Sequence, residues 1–194
     1  MTALAKRQCG PCTVCCTELK IPQLGKEARV PCRHLAGSGC GIYAGRPDVC
    51  RQFLCGWRLF DDMSDDWRPD LSGVMALRWA PAELPMAWRA APYGVHLLVT
   101  GGEQAVSRPA FIAYVASAMA RGIPVFLSAA SPYILLNDHV PAKADAALLK
   151  QRLGELYPLL HAARFGQSLW RRMRFLYRLQ IDRGYQKYLG RSAP

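Results

Sequence analysis

The hydrophobic and polar positions of this 194-residue chain change pattern near residues 60 to 73. Up to about residue 60 no period holds. Apolar residues come singly or in short groups among Gly, Pro and Cys, which predicts loops and short helical turns. From Gly73 the pattern becomes regular. Gly73–Ala80 (G-V-M-A-L-R-W-A) and Val95–Thr100 (V-H-L-L-V-T) read as strands, as do Ile123–Ser128 and Tyr133–Leu136. Gly101 and Gly102 mark a turn. Ser107 is placed to cap a helix that has Pro109 near its start, runs to Arg121 and is stopped by Gly122. Ile112, Val115 and Met119 give that helix its buried stripe, with Phe111 and Ala118 beside it. A further helix is predicted from Pro141 to about Arg164, bent near Pro158. Another is predicted from Gly166 to about Tyr188. Its apolar positions run from Leu169 to Ile181 at helical spacing, and Arg171, Arg172, Arg174 and Arg178 lie off that stripe.

Together these elements predict an α+β protein. A metal-nucleated, Cys-rich module (residues 1–60) packs on a small α+β segment (61–140) with a basic helical segment behind it (141–194), all in one compact unit. The boundary falls in an acidic stretch, D-D-M-S-D-D-W-R-P-D, at residues 61–70. Asp61, Asp62, Asp65 and Asp66 lack the alternating spacing of a calcium loop, so a solvated loop is expected. Residues 151–194 hold nine Lys and Arg against Glu155 and Asp182. A nucleic acid or an acidic surface is a conceivable partner of that face, but no base-reading motif accompanies it.

Hydrophobic residues make up 51% of the chain, enough for a real core without covalent staples. The longest apolar run, Pro109 to Ala120, is about half of the ~20 residues a membrane helix requires. The opening M-T-A-L-A-K-R-Q-C has no apolar signal segment, so the expected location is cytoplasmic, where thiols stay reduced.

That location gives the cysteines their meaning. All eight lie in the first 55 residues. Cys9, Cys12 and Cys15 have repeated two-residue spacers, which let successive sulfurs turn toward one centre. Cys16 adjoins Cys15, and adjacent side chains diverge, so the two serve different atoms of a cluster or different sites. Cys32 follows Pro31, Cys40 sits between two glycines in G-C-G-I-Y, and Cys50 and Cys55 belong to R-P-D-V-C-R-Q-F-L-C-G-W. The last segment predicts a short helix with Pro47 first and Gly56 ending it, from which Cys55 turns inward. Arg46 and Arg51 are candidates for tuning the sulfurs from outside the ligand set. Three chemistries compete: metal ligation, a disulfide framework, and a redox pair at Cys9-Gly-Pro-Cys12. Dense cysteines in a reducing compartment favour metal, either zinc or iron, the latter including a four-iron cluster. His34 is expected to be a loop histidine, and His96, His139 and His161 to be structural.

The order C-x-x-C-x-x-C-C, then Pro31-Cys32, then G-C-G-I-Y, then R-P-D-V-C-R-Q-F-x-C resembles the YkgJ-like cysteine-cluster family of zinc- or iron-chelating proteins. The resemblance covers residues 9–55. It implies that Cys9, Cys12, Cys15, Cys16, Cys32, Cys40, Cys50 and Cys55 bind a transition metal, and it implies no reaction. A similar cluster accompanies the enzyme in a flagellin lysine N-methylase, but no glycine-rich nucleotide loop follows a strand here. Two other functional classes stay open at this level. One is an iron–sulfur or metal-dependent enzyme, performing redox chemistry or group transfer. The other is a binding module with structural zinc and a working basic helix.

Overall fold

The computed structural model describes residues 7–37, 39–129 and 132–165. The chain is α+β and divides into two compact units, Met1–Met75 and Ala76–Pro194. The basic helix predicted from Gly166 lies outside the described residues.

The first unit has only short pieces of regular structure. They are α1 (Val14–Glu18), the antiparallel pair β1 (Leu35–Ala36) and β2 (Gly39–Cys40), α2 (Asp48–Gln52), α3 (Gly56–Leu59) and α4 (Pro69–Ser72). Glycine and proline punctuate the segment too often for longer helices to propagate. Buried apolar side chains come mainly from its second half: Trp57, Phe60, Met63 and Trp67. Asp61, Asp62, Asp65 and Asp66 are exposed, as the sequence predicts, while Met63 and Trp67 between them turn inward. The buried Ser72 hydroxyl donates to the Trp67 carbonyl at 3.2 Å and accepts from the Val74 amide at 3.0 Å, which fixes the exit from this unit.

One predicted helix here is in fact two. The chain leaves helical geometry at Phe53 (φ −69°, ψ 122°). Cys55 is extended (φ −68°, ψ 162°) and precedes α3, so Gly56 opens a helix instead of closing one. The kink buries Cys55, Gly56 and Trp57 together, which a continuous helix at their spacing would not do.

The second unit is built on a four-stranded sheet in the order β3 (Val74–Trp79), β4 (Gly94–Val99), β5 (Val125–Ser128), β6 (Tyr133–Leu135). The first residues of β3 belong to the preceding unit. β4 and β5 are parallel, with Val95 opposite Val125, and β5 and β6 are antiparallel. The parallel pair requires a crossover, supplied by α5 (Glu103–Ser107) and α6 (Pro109–Ala120). Every residue of β4 and β5 is buried, as expected for strands covered on both faces. Asn137 anchors the start of β5: its side-chain oxygen accepts from the Val125 amide at 2.7 Å and its amide donates to the Ile123 carbonyl at 3.1 Å.

Ser107 ends α5 instead of capping α6. Its hydroxyl donates back to the Glu103 carbonyl at 3.0 Å. The break falls at Arg108 (φ −61°, ψ 136°), because a residue before proline is pushed out of the helical region. Ile112, Val115 and Met119 are buried on α6, with Phe111, Tyr114 and Ala118. Helix α7 (Ala146–Phe165) packs on α5 and α6. It starts after the predicted Pro141 because Asp145 caps it, accepting from the Leu148 amide at 2.8 Å. Pro158 lies within α7 but is exposed, as is Gly154 one turn earlier, so water can satisfy the carbonyl that the missing N–H leaves unbonded. The opposite stripe, including Leu149, Leu153, Tyr157 and Leu160, is buried. Among the described residues no helix is long and apolar enough to cross a membrane.

Two features of this unit carry predictions. A methyl group built on Gly94 would stand 2.5 Å from Leu84 Cδ2 and 3.3 Å from Phe126 Cε2. Leu84 and Phe126 form a core cluster with Leu135. Gly94→Ala should therefore cost about 1–3 kcal/mol of stability through overpacking, read as a lower urea midpoint at unchanged slope. His96 is buried, bonded to Ser128 Oγ at 2.8 Å, with the Trp79 ring 4.9 Å away. Burial pushes its pKa down from 6.5 to about 4. The unfolded chain then binds the proton more tightly, so stability is full above pH about 6.5 and falls as pH drops toward about 4. The loss should approach about 3 kcal/mol, and His96→Gln should flatten that part of the stability–pH curve. An unchanged slope in the variant would exclude His96 as its source.

Candidate metal centre

The first unit's short elements set the places of its cysteines. Turn and helix position the opening four: the Cys12 amide donates to the Cys9 carbonyl at 3.1 Å, closing the first turn, and Cys15 and Cys16 lie on α1. The Cys32 amide donates to the Cys16 carbonyl at 2.9 Å, tying the second segment to α1. Cys40 lies on β2 opposite Leu35, whose amide bonds the Cys32 carbonyl at 2.9 Å. Cys50 is on α2, and Cys55 stands at the head of α3.

All eight are free thiols; Cys32 and Cys55 are buried and the others half-buried. Every one except Cys55 lines a single cavity of about 180 Å³. Its remaining wall is largely apolar, with Leu19, Ile21, Leu24, Ile42, Val49 and Phe53. A second cavity, of about 40 Å³, is lined by Cys9, Cys12, Cys15, Cys50 and Cys55, together with Trp57 and Arg58. The sulfurs surround these spaces without meeting at a point. Among the described residues, no three His, Cys, Asp or Glu side chains stand in a group that could hold a metal ion. The Cys15 and Cys16 sulfurs are 3.9 Å apart.

The charge around the thiols is uneven. A hydrogen bond to Cys16 raises the Cys15 pKa, and burial adds to it. The same bond lowers Cys16 to about 6, helped by the charges of Lys26 and Arg46 against the cost of its burial. Burial raises Cys12 to about 11, and the nearby Asp70 carboxylate adds to the rise by repulsion. Burial also raises Cys50 and Cys55.

Four cationic side chains bear on the site in different ways. Arg58 Nε donates to the Arg7 carbonyl at 2.7 Å and Arg58 Nη1 approaches Cys9 Sγ at 3.7 Å. Arg7 in turn donates to the Trp57 carbonyl at 2.7 Å, so the two arginines lace the segment before Cys9 to α3. Lys26 is buried, and its ammonium donates to the carbonyls of Thr17 at 3.0 Å, Leu19, and Glu27 at 3.1 Å. Arg46 lines both cavities; its Nε donates to the Tyr43 carbonyl at 3.0 Å and its guanidinium lies 3.6 Å from the Tyr43 ring centroid.

Of the predicted outer residues, Arg46 therefore lies at the cavities, whereas Arg51 is exposed and held by Asp48 at 2.5 Å. His34 lines the larger cavity, but its Nε2 accepts from Arg33 at 3.3 Å. His96, His139 and His161 belong to the second unit. Lys26, Trp57 and Arg58 escaped sequence reasoning. Only Arg58 left a signal, standing three residues after Cys55 and so one helical turn away.

No family model matches the chain, and no curated protein or solved structure compared with it gives a match.

Lys26→Met would leave the part-buried carbonyls of Thr17, Leu19 and Glu27 without their cationic donor. It should cost about 2–3 kcal/mol and speed amide exchange at Ile21 and Lys26, which bond each other's carbonyls at 2.9 and 3.1 Å. Unchanged exchange at both amides would show that the ammonium is not what holds this loop.

Proposed function

We propose that the first unit is a transition-metal chelating module that binds zinc or iron, the latter including an iron–sulfur cluster, through its eight cysteines. The observation that supports this most directly is the sharing of one apolar-walled cavity by seven free thiols. Thiolates are soft ligands that select zinc and iron–sulfur centres over hard cations. A cavity that excludes water strengthens the attraction between a cation and the sulfurs around it. The sulfurs do not converge as they stand, so binding draws them inward by side-chain rotation, each thiol giving up its proton. The resemblance of residues 9–55 to the YkgJ-like family supports the same reading, and a cytoplasmic location would keep the thiols reduced.

The buried indole Nε1 of Trp57 has no hydrogen-bond partner among the described residues, and Trp57 lines the smaller cavity. Buried donors of this kind are normally paired, and metal-bound thiolates or sulfides would supply the acceptor.

Anaerobic purification without chelator, followed by elemental analysis and an absorption spectrum, tests the proposal. Bound zinc in a colourless protein, or iron with labile sulfide in a brown one, is the expected result. Material free of transition metals that takes up none on addition would end the proposal.

A further inference from the structure

We infer that the eight cysteines form two separate four-sulfur centres, one of Cys9, Cys12, Cys15 and Cys55 and the other of Cys16, Cys32, Cys40 and Cys50, with Trp57 and Arg58 serving as donors to the first. This rests on the metal-chelating reading above and goes beyond it in stating how many centres there are and which residues make each.

The cavities separate four of the cysteines: Cys16, Cys32 and Cys40 line only the larger one, and Cys55 lines only the smaller one. Cys9, Cys12, Cys15 and Cys50 line both. Backbone hydrogen bonds separate them in the same way. Cys16, Cys32 and Cys40 are linked in series: Cys32 bonds Cys16 at 2.9 Å, Leu35 bonds Cys32 at 2.9 Å, and Leu35 pairs with Cys40. Cys9 and Cys12 are linked by their own turn. Cys9 and Cys55 are joined through Arg58, whose side chain reaches Cys9 Sγ and whose amide donates to the Cys55 carbonyl at 2.9 Å.

The two remaining assignments follow from position. Cys15 lines both cavities and Cys16 only the larger. Successive residues of a helix point about 100° apart, so two neighbours on α1 suit two centres better than one. Cys50 also lines both cavities, and with Cys9, Cys12, Cys15 and Cys55 already making four it falls to the second set. With Cys50 in the second set, each set has four sulfurs, the number a closed tetrahedral thiolate site takes. No cysteine is left over.

The first set has a polar surround of its own. Arg58 stands beside Cys9, and Trp57, whose buried Nε1 has no hydrogen-bond partner among the described residues, lines the smaller cavity. Donors aimed at metal-bound sulfur are what tune such centres from outside the ligand set.

Cadmium(II) loading of the reduced full-length chain, followed by 113Cd NMR, gives a test that needs no variant. Two cadmium ions per chain and two resonances in the all-thiolate range are expected. Cys55→Ala and Cys40→Ala should each retain half of the bound metal and one of the two resonances, and not the same one. The Trp57 indole N–H signal should move on loading of Cys40→Ala and stay in place on loading of Cys55→Ala. A single resonance, cadmium–cadmium coupling through a shared sulfur, or loss of all metal in both variants would overturn the partition while leaving chelation intact. Failure of the unaltered chain to bind cadmium at all would instead overturn the chelating reading.

Discussion

The first unit is governed by one electrostatic constraint: thiolates cannot be crowded into an apolar-walled space unless positive charge comes with them. Burial, with the Asp70 carboxylate adding to it, lifts Cys12 to about 11, and burial foremost raises Cys55, so these groups keep their protons when nothing compensates. Where the Cys15 and Cys16 sulfurs stand 3.9 Å apart, the pKa of Cys15 is raised and that of Cys16 lowered to about 6. A divalent cation removes the constraint by giving every sulfur a counter-charge at once. Chelation is therefore the process that would make this part of the chain electrostatically self-consistent, whichever metal supplies the charge.

Short elements can hold the sulfurs near one another because cationic side chains do what long helices do elsewhere. Lys26 gathers carbonyls from Thr17, Leu19 and Glu27. Arg7 and Arg58 lace the opening segment to α3. Most of these bonds join residues well apart in the chain, and charged donors make the stronger hydrogen bonds. The second unit is organised by a different principle. Its central strands are buried throughout and apolar apart from the paired His96 and Ser128, and its helices carry stripes that match. Hydrophobic burial is enough to specify such a layer.

The same contrast explains what could be read in the sequence. All four strands of the main sheet lie within one or two residues of their predicted spans, because runs such as V-H-L-L-V and V-F-L-S have no other stable use. The Ser107 and Gly56 boundaries were misread, since a capping residue or a terminating glycine serves either end of a helix until its neighbours are known. Arg108 before Pro109 decided the first case and the extended Phe53–Cys55 turn the second. In the cysteine-rich unit the residue types gave the candidate ligands but not their grouping. Spacing alone joins Cys9, Cys12 and Cys15. The place of Cys32 depends on a bond to Cys16, distant in the sequence, and those of Cys40 and Cys55 on turns around Leu35 and Arg58 that the cysteine spacing does not show.

The net charge fits the same account. The formal value of +11 counts every cysteine as neutral. A divalent ion with four thiolates carries two net negative charges, so two such centres would lower the total by about four and leave the chain basic. Part of the excess cation is already committed within the first unit: Arg7, Lys26, Arg46 and Arg58 each bond a backbone carbonyl. Arg46 and Arg58 also stand at the cavity walls. On the proposed chelating reading these cations would serve the sulfurs twice, first by fixing the backbone that presents them and then by offsetting the negative charge that would accumulate as they lost their protons. A lysine or arginine replaced here by a neutral residue of similar shape would weaken both functions together, and that coupling separates an arginine near a thiolate centre from one on an ordinary solvated surface.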